Sequence, residues 1–392
     1  MNKIYITKAL FIAAISAQLL TGCGGDSPEN TEDNKNQTNT TTTTESTTGI
    51  DSFTNSNIFS RNVYLPTNTA MQGFNFDSKG NIYYTQLSAS NAAQLLIVKS
   101  TQNSGVSTVT ANKDYMTLKF FGHGTNTAIE EDGNDVYVWA GCYGSCNSAG
   151  KYWTERFIGR VKYVKGASVN TDECNDYYYI GDYTDMHPSI DADNDLLTIN
   201  YADSKNSSYR CFVVYKLSEA KKAGYTNVSV SVTDGFQTGT VSSTNKVDKI
   251  VRARDLTTLT PVATPKFLKT GYGNSGDTYY DWQGFDVKAD RLYYAEGQSN
   301  YNLTGNYNQG QSYAYVTIFD LNGKIVEKRT QVAVISDKET LNNIGVSYYG
   351  TMESEGIKVH NGKLYLGFTS RGRVVGETRH YQNIFVFNKS SK

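Results

Sequence analysis

Trp282-Gln283-Gly284-Phe285-Asp286-Val287-Lys288-Ala289-Asp290-Arg291-Leu292-Tyr293-Tyr294 is the stretch that decides the fold, because a related pattern occurs five times in the chain. Each copy has a polar residue, usually beside a glycine, then an alternating strand, an Asp/Asn/Gly turn and a second strand rich in Tyr, Val, Leu and Ile. Two such runs joined by a short turn of this composition are typical of a β-hairpin. The copies lie at residues 71–84, 122–138, 186–199, 282–294 and 354–366.

The repeated hairpins predict the architecture, because each one needs a neighbour against which to bury its apolar face. A single β-hairpin is only marginally stable in water, whereas hairpins repeated around an axis bury their faces against one another as propeller blades. The spacing is uneven, since 96 residues separate His187 from Gln283, the polar residues that begin the third and fourth copies. That interval could hold a degenerate sixth blade or a long insertion around residues 228–260. We expect an all-β propeller with five blades, and six as the alternative.

The first residues predict export. Lys3 and Lys8 precede an apolar run over residues 9–20, which is of signal-peptide length and too short to span a bilayer. The run ends in Leu20-Thr21-Gly22-Cys23, which resembles the lipobox of bacterial lipoproteins. This resemblance implies a signal peptide over residues 1–22, a palmitate-type lipid anchor on Cys23 and, because Gly24 rather than aspartate follows, an outer-membrane or cell-surface location. The alternative is an ordinary secretory signal with an incidental cysteine.

A polar segment follows the anchor. Residues 23–58 are mostly Asn, Thr, Ser, Asp and Gly with almost no large apolar side chain. Such a segment cannot bury enough surface to offset its chain entropy. We therefore expect a disordered tether over 23–58 and one propeller domain over 59–392.

Charge and cysteine content narrow the possible partners. A formal net charge of −1 provides no electrostatic footprint for nucleic acid, so we expect no nucleic-acid partner, and the lipid anchor makes a membrane an expected partner. In an oxidising compartment the other four cysteines predict disulfides of undetermined pairing. The spacing of Cys142 and Cys146 could also hold zinc. No histidine or second CxxC lies at ligand spacing near them, so we expect neither a metal nor a cofactor. The four disulfide candidates are Cys142, Cys146, Cys174 and Cys211.

The polar residues that begin the copies form the candidate ligand site. If the copies are equivalent, these side chains stand at the same point of each innermost strand and converge at one mouth of the axis, where they can bind a hydroxyl-rich or anionic ligand. The alternative is that they bond to one another and tie the blades together. Trp282 is the candidate for stacking on a sugar ring, while any one aromatic residue on a strand is more often part of the core. The polar candidates are Gln72, His123, His187, Gln283 and Glu355.

Several of these motifs resemble those of a known propeller family. They are Gln-Gly-Phe at 72–74, Phe-Gly-His-Gly at 121–124, Glu-Ser-Glu-Gly-Ile at 353–357 and Leu-Tyr-Leu-Gly-Phe-Thr-Ser at 364–370. The family comprises phage receptor-binding proteins, teichoic acid biosynthesis protein C-like proteins and helveticin-type bacteriocins. The resemblance spans about residues 71–387 and implies a five-bladed propeller, which in the phage members binds cell-surface glycopolymers. The lipobox, the cysteines and His187-Pro188 depart from the family pattern.

Three functions are compatible with these features. The first is a surface-anchored module that binds a cell-surface or environmental polysaccharide at the channel mouth. The second is a polysaccharide lyase that cleaves uronate-containing glycans by β-elimination, with His123 or His187 as the base, Tyr209 as the acid and Arg210 neutralising the carboxylate. No spacing in the sequence specifies that arrangement. The third, a bacteriocin-like toxin, follows only from the family resemblance and fits poorly with a lipid anchor.

Overall fold

The computed structural model describes residues 49–88, 91–101, 107–108, 114–146, 153–233, 246–299, 312–346, 352–371 and 379–390. The expected signal peptide, the lipidation site Cys23 and the tether as far as residue 48 lie outside the described residues. Among the described residues, no helix is long and apolar enough to cross a membrane.

Five sheets of four or more strands follow one another along the chain, and they are the five blades. Each blade begins with the hairpin of one sequence repeat, so the first strand of each repeat is the innermost strand of its blade. Blade I contains β2 (Met71–Phe76), β3 (Ile82–Ser88), β4 (Asn91–Ser100) and β6 (Tyr115–Lys119). Blade II contains β7 (Ala128–Asp132), β8 (Asp135–Cys142), β11 (Phe157–Lys162) and β13 (Asp176–Tyr179).

The other three blades repeat this order. Blade III contains β14 (Thr184–Asp191), β15 (Leu196–Ala202), β16 (Tyr209–Lys216) and β19 (Lys266–Leu268). Blade IV contains β20 (Asp281–Lys288), β21 (Arg291–Ser299), β22 (Ser312–Asp320) and β23 (Ile325–Gln331). Blade V contains β24 (Glu353–His360), β25 (Lys363–Arg371), β26 (His380–Lys389) and β1 (Phe53–Tyr64).

Short elements complete the chain. Among the described residues the helices are α1 (Leu217–Ala220) and α2 (Lys338–Asn343). Single 3-10 turns cover Ser204–Asn206, Leu256–Thr258 and Ala333–Ser336. The short strands are β5 (Ser107–Thr108) on blade V, β12 (Ser168–Asn170) on blade I, and the pair β9 (Ser145–Cys146) and β10 (Trp153–Thr154).

The described residues of the long interval between the third and fourth repeats form no sixth blade. The interval contains the hairpin β17 (Tyr225–Thr233) and β18 (Lys246–Asp255), and β18 pairs in parallel with β13, for example Tyr178 with Arg254. The insertion therefore widens blade II at its outer edge. The five-bladed count expected from the sequence is confirmed.

The ring is closed by the N-terminal strand, which begins earlier than the sequence indicates. β1 pairs antiparallel with β26, for example Ile58 with Phe385, and so supplies the outermost strand of blade V. Ile50 is 1% exposed and belongs to an apolar cluster against which Phe53 and Ile58 pack. Residues 50–58 are thus part of the propeller rather than of the tether, because these few apolar side chains have a core to enter.

Apolar packing between neighbouring blades holds the ring together. Five clusters of buried side chains lie at the five blade borders. Consecutive residues of one strand enter different clusters, as Tyr83 faces blade II and Tyr84 faces blade V. Strands buried on both faces explain why the second strand of each repeat is an unbroken run of large residues, each contributing roughly 1.5–3 kcal/mol when fully buried.

Glycines bring three of the innermost strands into contact at the axis. A Cβ on Gly356, whose φ is +112°, would lie 3.3 Å from the Cα of Gly73, and a Cβ on Gly284 would lie 3.3 Å from the Cα of Gly356. The amide of Asn126 fills the remaining space, since its Nδ2 donates to Pro188 O at 2.7 Å and its Oδ1 accepts from Phe285 N at 3.1 Å. Backbone and amide thus meet between the two ends of the axis, which we call its two mouths.

Candidate functional site

The head mouth is the end of the axis where the innermost strands begin, and it carries Gln72, His187, Gln283 and Glu355. His187, Gln283 and Glu355 are 6%, 9% and 5% exposed, and Gln72 is half-buried. Four of the five predicted polar residues therefore occupy matching places at the starts of their strands. That they contact a ligand remains a prediction.

His123 is not the structural equivalent of these four residues. In blade IV, Gly284 pairs with Ala295, and in blade II the matching pair is Ala128 with Trp139. The residue that precedes Ala128 is Thr127, so the position of Gln283 is taken by Thr127 and His123 lies before the strand. The expectation from the sequence was wrong here because a few extra residues separate Gly-His-Gly from β7.

The side chains of Trp282, His187 and Arg210 meet at the border of blades III and IV. The ring centroids of His187 and Trp282 are 4.8 Å apart, and the Arg210 guanidinium carbon lies 4.8 Å from the centre of the Trp282 ring. Trp282 Nε1 and Arg210 Nε are buried without a hydrogen-bond partner among the described residues. Such groups are rare in folded proteins, and each calls for a water, an ion or a ligand as its partner.

Glu155 adds a buried carboxylate that the sequence did not reveal. It lies between β10 and β11, is 2% exposed, and its Oε2 also has no partner among the described residues. Glycines make room for it, because a Cβ on Gly122 would lie 1.4 Å from Glu155 Oε1 and one on Gly141 would lie 2.7 Å from its Cγ. The glycine of the Gly-His-Gly motif thus serves a side chain more than thirty residues away in sequence.

Glu155, Asp185 and His187 form one electrostatic group. Burial raises the pKa of Glu155 to about 7, with the positive charge of His187 lowering it and Asp185 raising it further. Burial acts upward on Asp185 as well, but the hydrogen bond and charge of His187 and the charge of Arg210 outweigh it, so its pKa is lowered. Asp185 has a φ of +59° at an irregularity of β14, which turns its side chain out of the regular strand pattern. The group can hold a cation or accept hydrogen bonds from hydroxyls.

The turn mouth is the opposite end of the axis, where the innermost strands run into their hairpin turns, and it carries Asp77, Asp191, Asp286, Lys288 and Lys358. A pocket of about 180 Å³ opens there, lined by residues of all five innermost strands. Asp286 accepts hydrogen bonds from Ser189 Oγ at 2.6 Å, Val359 N at 2.8 Å and Lys358 Nζ at 3.2 Å. None of the residues lining this pocket is among the described residues with a buried, unpartnered side-chain atom.

Two of the three alternating aspartates of the third repeat, Asp191 and Asp193, line the turn mouth. Asp191 accepts from Lys288 Nζ at 3.0 Å and from Ala289 N at 2.7 Å, and Asp193 pairs with the same lysine. Asp195 accepts from the backbone and hydroxyl of Ser218. These carboxylates fasten hairpin turns to their neighbours.

The residues expected for a lyase do not all converge. Tyr209 and Arg210 are consecutive in β16, so their side chains point to opposite faces of blade III. Arg210 faces Trp282 of blade IV, whereas the Tyr209 ring lies beneath Lys266 Nζ at 5.4 Å. The structure brings His187 and Arg210 to one place and leaves Tyr209 on the other face of β16, while the backbone of His123 hydrogen-bonds to Glu155 beside His187.

Trp139 is a tryptophan of the core. Trp139 is fully buried and stacks on Tyr178 at 4.5 Å. Trp282 is half-buried at the head mouth, which leaves it as the tryptophan able to meet a ligand among the described side chains.

The disulfides expected from the sequence stay predictions, and the structure shows which of the candidate cysteines are neighbours. Cys142, Cys174 and Cys211 are free thiols, and the side chain of Cys146 lies outside the described residues. The thiols of Cys142 and Cys174 lie together beside Gly159, where a Cβ would come 3.0 Å from the first and 2.6 Å from the second. Cys211 lies on another blade.

Comparisons with known proteins show which propeller family this chain resembles. The family model described as a phage 5-bladed beta propeller receptor binding platform domain matches residues 70–235. The resemblance to this propeller family is confirmed. A protein named putative major teichoic acid biosynthesis protein C from Bacillus subtilis (strain 168) is 29% identical over 158 residues, 39% of this chain and 34% of that protein. The tail fiber of Staphylococcus aureus phage P68 is 16% identical with a TM-score of 0.51, covering 86% of this chain and 53% of the fiber. The chain thus spans about a third and about half of these two relatives, and the fiber supports the fold alone.

Proposed function

We propose that this chain is a surface-displayed binding protein whose propeller takes up a cell-surface or environmental polysaccharide at the head mouth. One observation carries the proposal: Trp282 Nε1, Arg210 Nε and Glu155 Oε2 are buried there without a hydrogen-bond partner among the described residues, beside a half-buried indole. The receptor-binding description of the matching family supports it. A lipid anchor on Cys23 would hold the propeller at the membrane surface, in keeping with a ligand outside the cell.

The chemistry of the head mouth suits a polyhydroxyl ligand. A sugar hydroxyl both donates and accepts, so the hydroxyls of a sugar chain suit the indole and guanidinium donors of this mouth. Apolar sugar faces pack on aromatic rings, and the indole of Trp282 provides such a ring beside the polar atoms.

An aromatic surface on blade IV extends the site. The Tyr280 ring stacks on Tyr313 at 5.3 Å and on Tyr315 at 5.8 Å, with interplanar angles of 6° and 15°, and all three rings are half-buried. Tyr280 precedes β20, and Tyr313 and Tyr315 begin β22, so the stack lies at the same end of blade IV as Trp282. Arg329 lies with its guanidinium carbon 3.5 Å from the centre of the Tyr315 ring. A chain of several sugar residues could therefore run outward from the axis along this blade.

Affinity for immobilised polysaccharides tests the proposal. The full chain would be passed over a panel of uronate polymers and phosphate-containing wall glycopolymers, and the dissociation constant measured for each that retains it. Truncating a central aromatic anchor costs about 2 kcal/mol or more, so Trp282→Ala is expected to weaken binding roughly thirtyfold. Tyr225→Ala is the matched control, because Tyr225 is 41% exposed at the outer edge of blade II.

Two results would contradict the proposal. Equal affinities of the wild type and Trp282→Ala would remove the head mouth as the binding site. A rise in ultraviolet absorbance during incubation with a uronate polymer, abolished in a folded His187→Ala variant, would indicate β-elimination and make the protein a lyase rather than a binding module.

A further inference from the structure

Three side chains at the border of blades II and III form a compact group of metal-ligand type. One donor atom each from Glu155, Asp185 and His187 lies within 4.8 Å of the other two. Glu155 comes from the segment before β11, and the other two come from the start of β14. The fold thus assembles two carboxylates and one imidazole from separate parts of the chain.

The carboxylate of Glu155 provides the observation that points to a ligand. It is 2% exposed and its Oε2 has no partner among the described residues. An unsatisfied buried acceptor costs roughly 1–3 kcal/mol, more if it is charged. The side chain is also held in place, because its Oε1 and Cγ occupy the space that Cβ atoms on Gly122 and Gly141 would need.

We propose that Glu155, Asp185 and His187 bind one divalent transition-metal ion, with Zn²⁺ as the best match. Imidazole together with carboxylate is a donor set that suits Zn²⁺, whereas Ca²⁺ and Mg²⁺ prefer oxygen donors alone. Two carboxylates balance the charge of the ion. Three protein ligands leave one position of a four-coordinate ion open to water or to a ligand hydroxyl.

The geometry needs only a small adjustment. Donor atoms about 2.1 Å from a tetrahedral ion are about 3.4 Å apart, so a separation at the 4.8 Å limit of the group must shorten by about 1.4 Å. The Asp185 side chain is 46% exposed and its Oδ1 is 3.7 Å from His187 Nε2, so a rotation of this side chain can close the group. The positive charges of Arg210 and Lys269 act on Asp185, which favours moderate over very tight binding.

Metal titration of the full chain tests this assignment. After treatment with a chelator and removal of the chelator, ZnCl₂ alone is titrated by calorimetry, and binding of one ion per chain is expected. Glu155→Gln and His187→Gln are each expected to weaken that binding at least tenfold. Asp185→Asn changes a half-exposed side chain and serves as the variant least able to disturb folding, with circular dichroism as the check. His360→Gln, at the turn mouth, is the matched control and is expected to keep wild-type affinity.

Cobalt distinguishes this site from a cysteine site. Co²⁺ bound by oxygen and nitrogen gives weak visible bands, whereas thiolate ligation gives intense ultraviolet charge-transfer absorption. The proposal is overturned if no ion binds, if folded Glu155→Gln and Asp185→Asn variants bind as the wild type does, or if thiolate absorption appears. Because Zn²⁺ alone is the probe, the outcome does not depend on whether the protein binds a glycan.

Discussion

The two mouths of one axis are built from the same five strands, yet they treat their polar groups in opposite ways. At the turn mouth Asp286 and Lys358 join blades IV and V, and Asp191 and Lys288 join blades III and IV, so these four buried charges are paired across blade borders. At the head mouth Glu155 Oε2, Arg210 Nε and Trp282 Nε1 are buried and have no hydrogen-bond partner in the part of the chain that the structure describes.

This difference separates polar residues that hold the ring together from those that await a partner. Paired groups at the turn mouth are satisfied within the protein and can be explained by folding alone. Unpaired groups at the head mouth reduce stability, and their retention is explained if a ligand or ion satisfies them. Although a pocket opens at the turn mouth, we assign binding to the head mouth for this reason.

The largest effect on stability is expected when a charge is removed from the turn mouth. Asp286→Ala leaves Lys358 buried without its partner and removes two further hydrogen bonds. Breaking a buried ion pair from one side costs about 3–5 kcal/mol, so the free energy of unfolding in urea is expected to fall by that amount. Asp290→Ala is the control, because its side chain is 71% exposed and its pairing with Arg291 contributes at most about 1 kcal/mol. A loss for Asp286→Ala no larger than for the control would mean that the turn mouth does not fasten the blades.

A second prediction concerns a disulfide between Cys142 and Cys174, near the head mouth. Oxidation of the adjacent thiols of Cys142 and Cys174 would close a loop that contains Glu155, and Cys142 O already accepts from Arg156 N at 3.0 Å. Loop closure of this length is expected to stabilise the oxidised protein by about 3–4 kcal/mol over the reduced one. Thiol titration in denaturant, with and without reductant, and peptide mapping would check the pairing. Cys211→Ser should leave the stabilisation unchanged, whereas a mapped link between Cys142 and Cys146 would refute it.

The repeat made the fold predictable, because each hairpin carries its own local signals. Turn residues, glycine and an unbroken apolar second strand are all readable within about fourteen residues, and one repeat such as 282–294 predicts the blade. The closing strand was harder to see. Phe53 and Ile58 are isolated apolar residues in a polar region, and only their pairing and packing with β26 shows that they are structural.

The candidate site was predictable only where it follows the repeat. His187, Gln283 and Glu355 were found because they stand at the same step of each copy. Glu155 was missed because no repeat marks it, and its meeting with His187 depends on how blades II and III pack. Gly122 belongs to the Phe-Gly-His-Gly motif and could have indicated that another side chain occupies the space beside it. The sequence alone does not say which side chain needs that space.

The smallest effect concerns a carboxyl group at the head mouth and its dependence on pH. Burial, with a further contribution from the negative charge of Glu353, raises the pKa of Glu355 well above its usual value of 4.5. A group whose pKa is higher in the folded than in the unfolded state stabilises the protein fully below the unfolded value, and this contribution is lost as the pH rises through the folded value. The free energy of unfolding of the wild type should therefore decline from about pH 4.5 upward relative to Glu355→Gln, and the variant should be the more stable at neutral pH.

Urea denaturation of both proteins over a series of pH values measures this difference. Below about pH 4.5 the two stability curves should run parallel, because Glu355 is then protonated in both the folded and the unfolded state. Glu353→Gln is the control, and it should reduce the pH dependence without removing it, since burial is the larger cause. Parallel curves across the whole range would show that the Glu355 carboxylate is satisfied when charged. Glu355 would then resemble the paired carboxylates of the turn mouth, and the contrast between the two mouths would narrow to Glu155, Arg210 and Trp282.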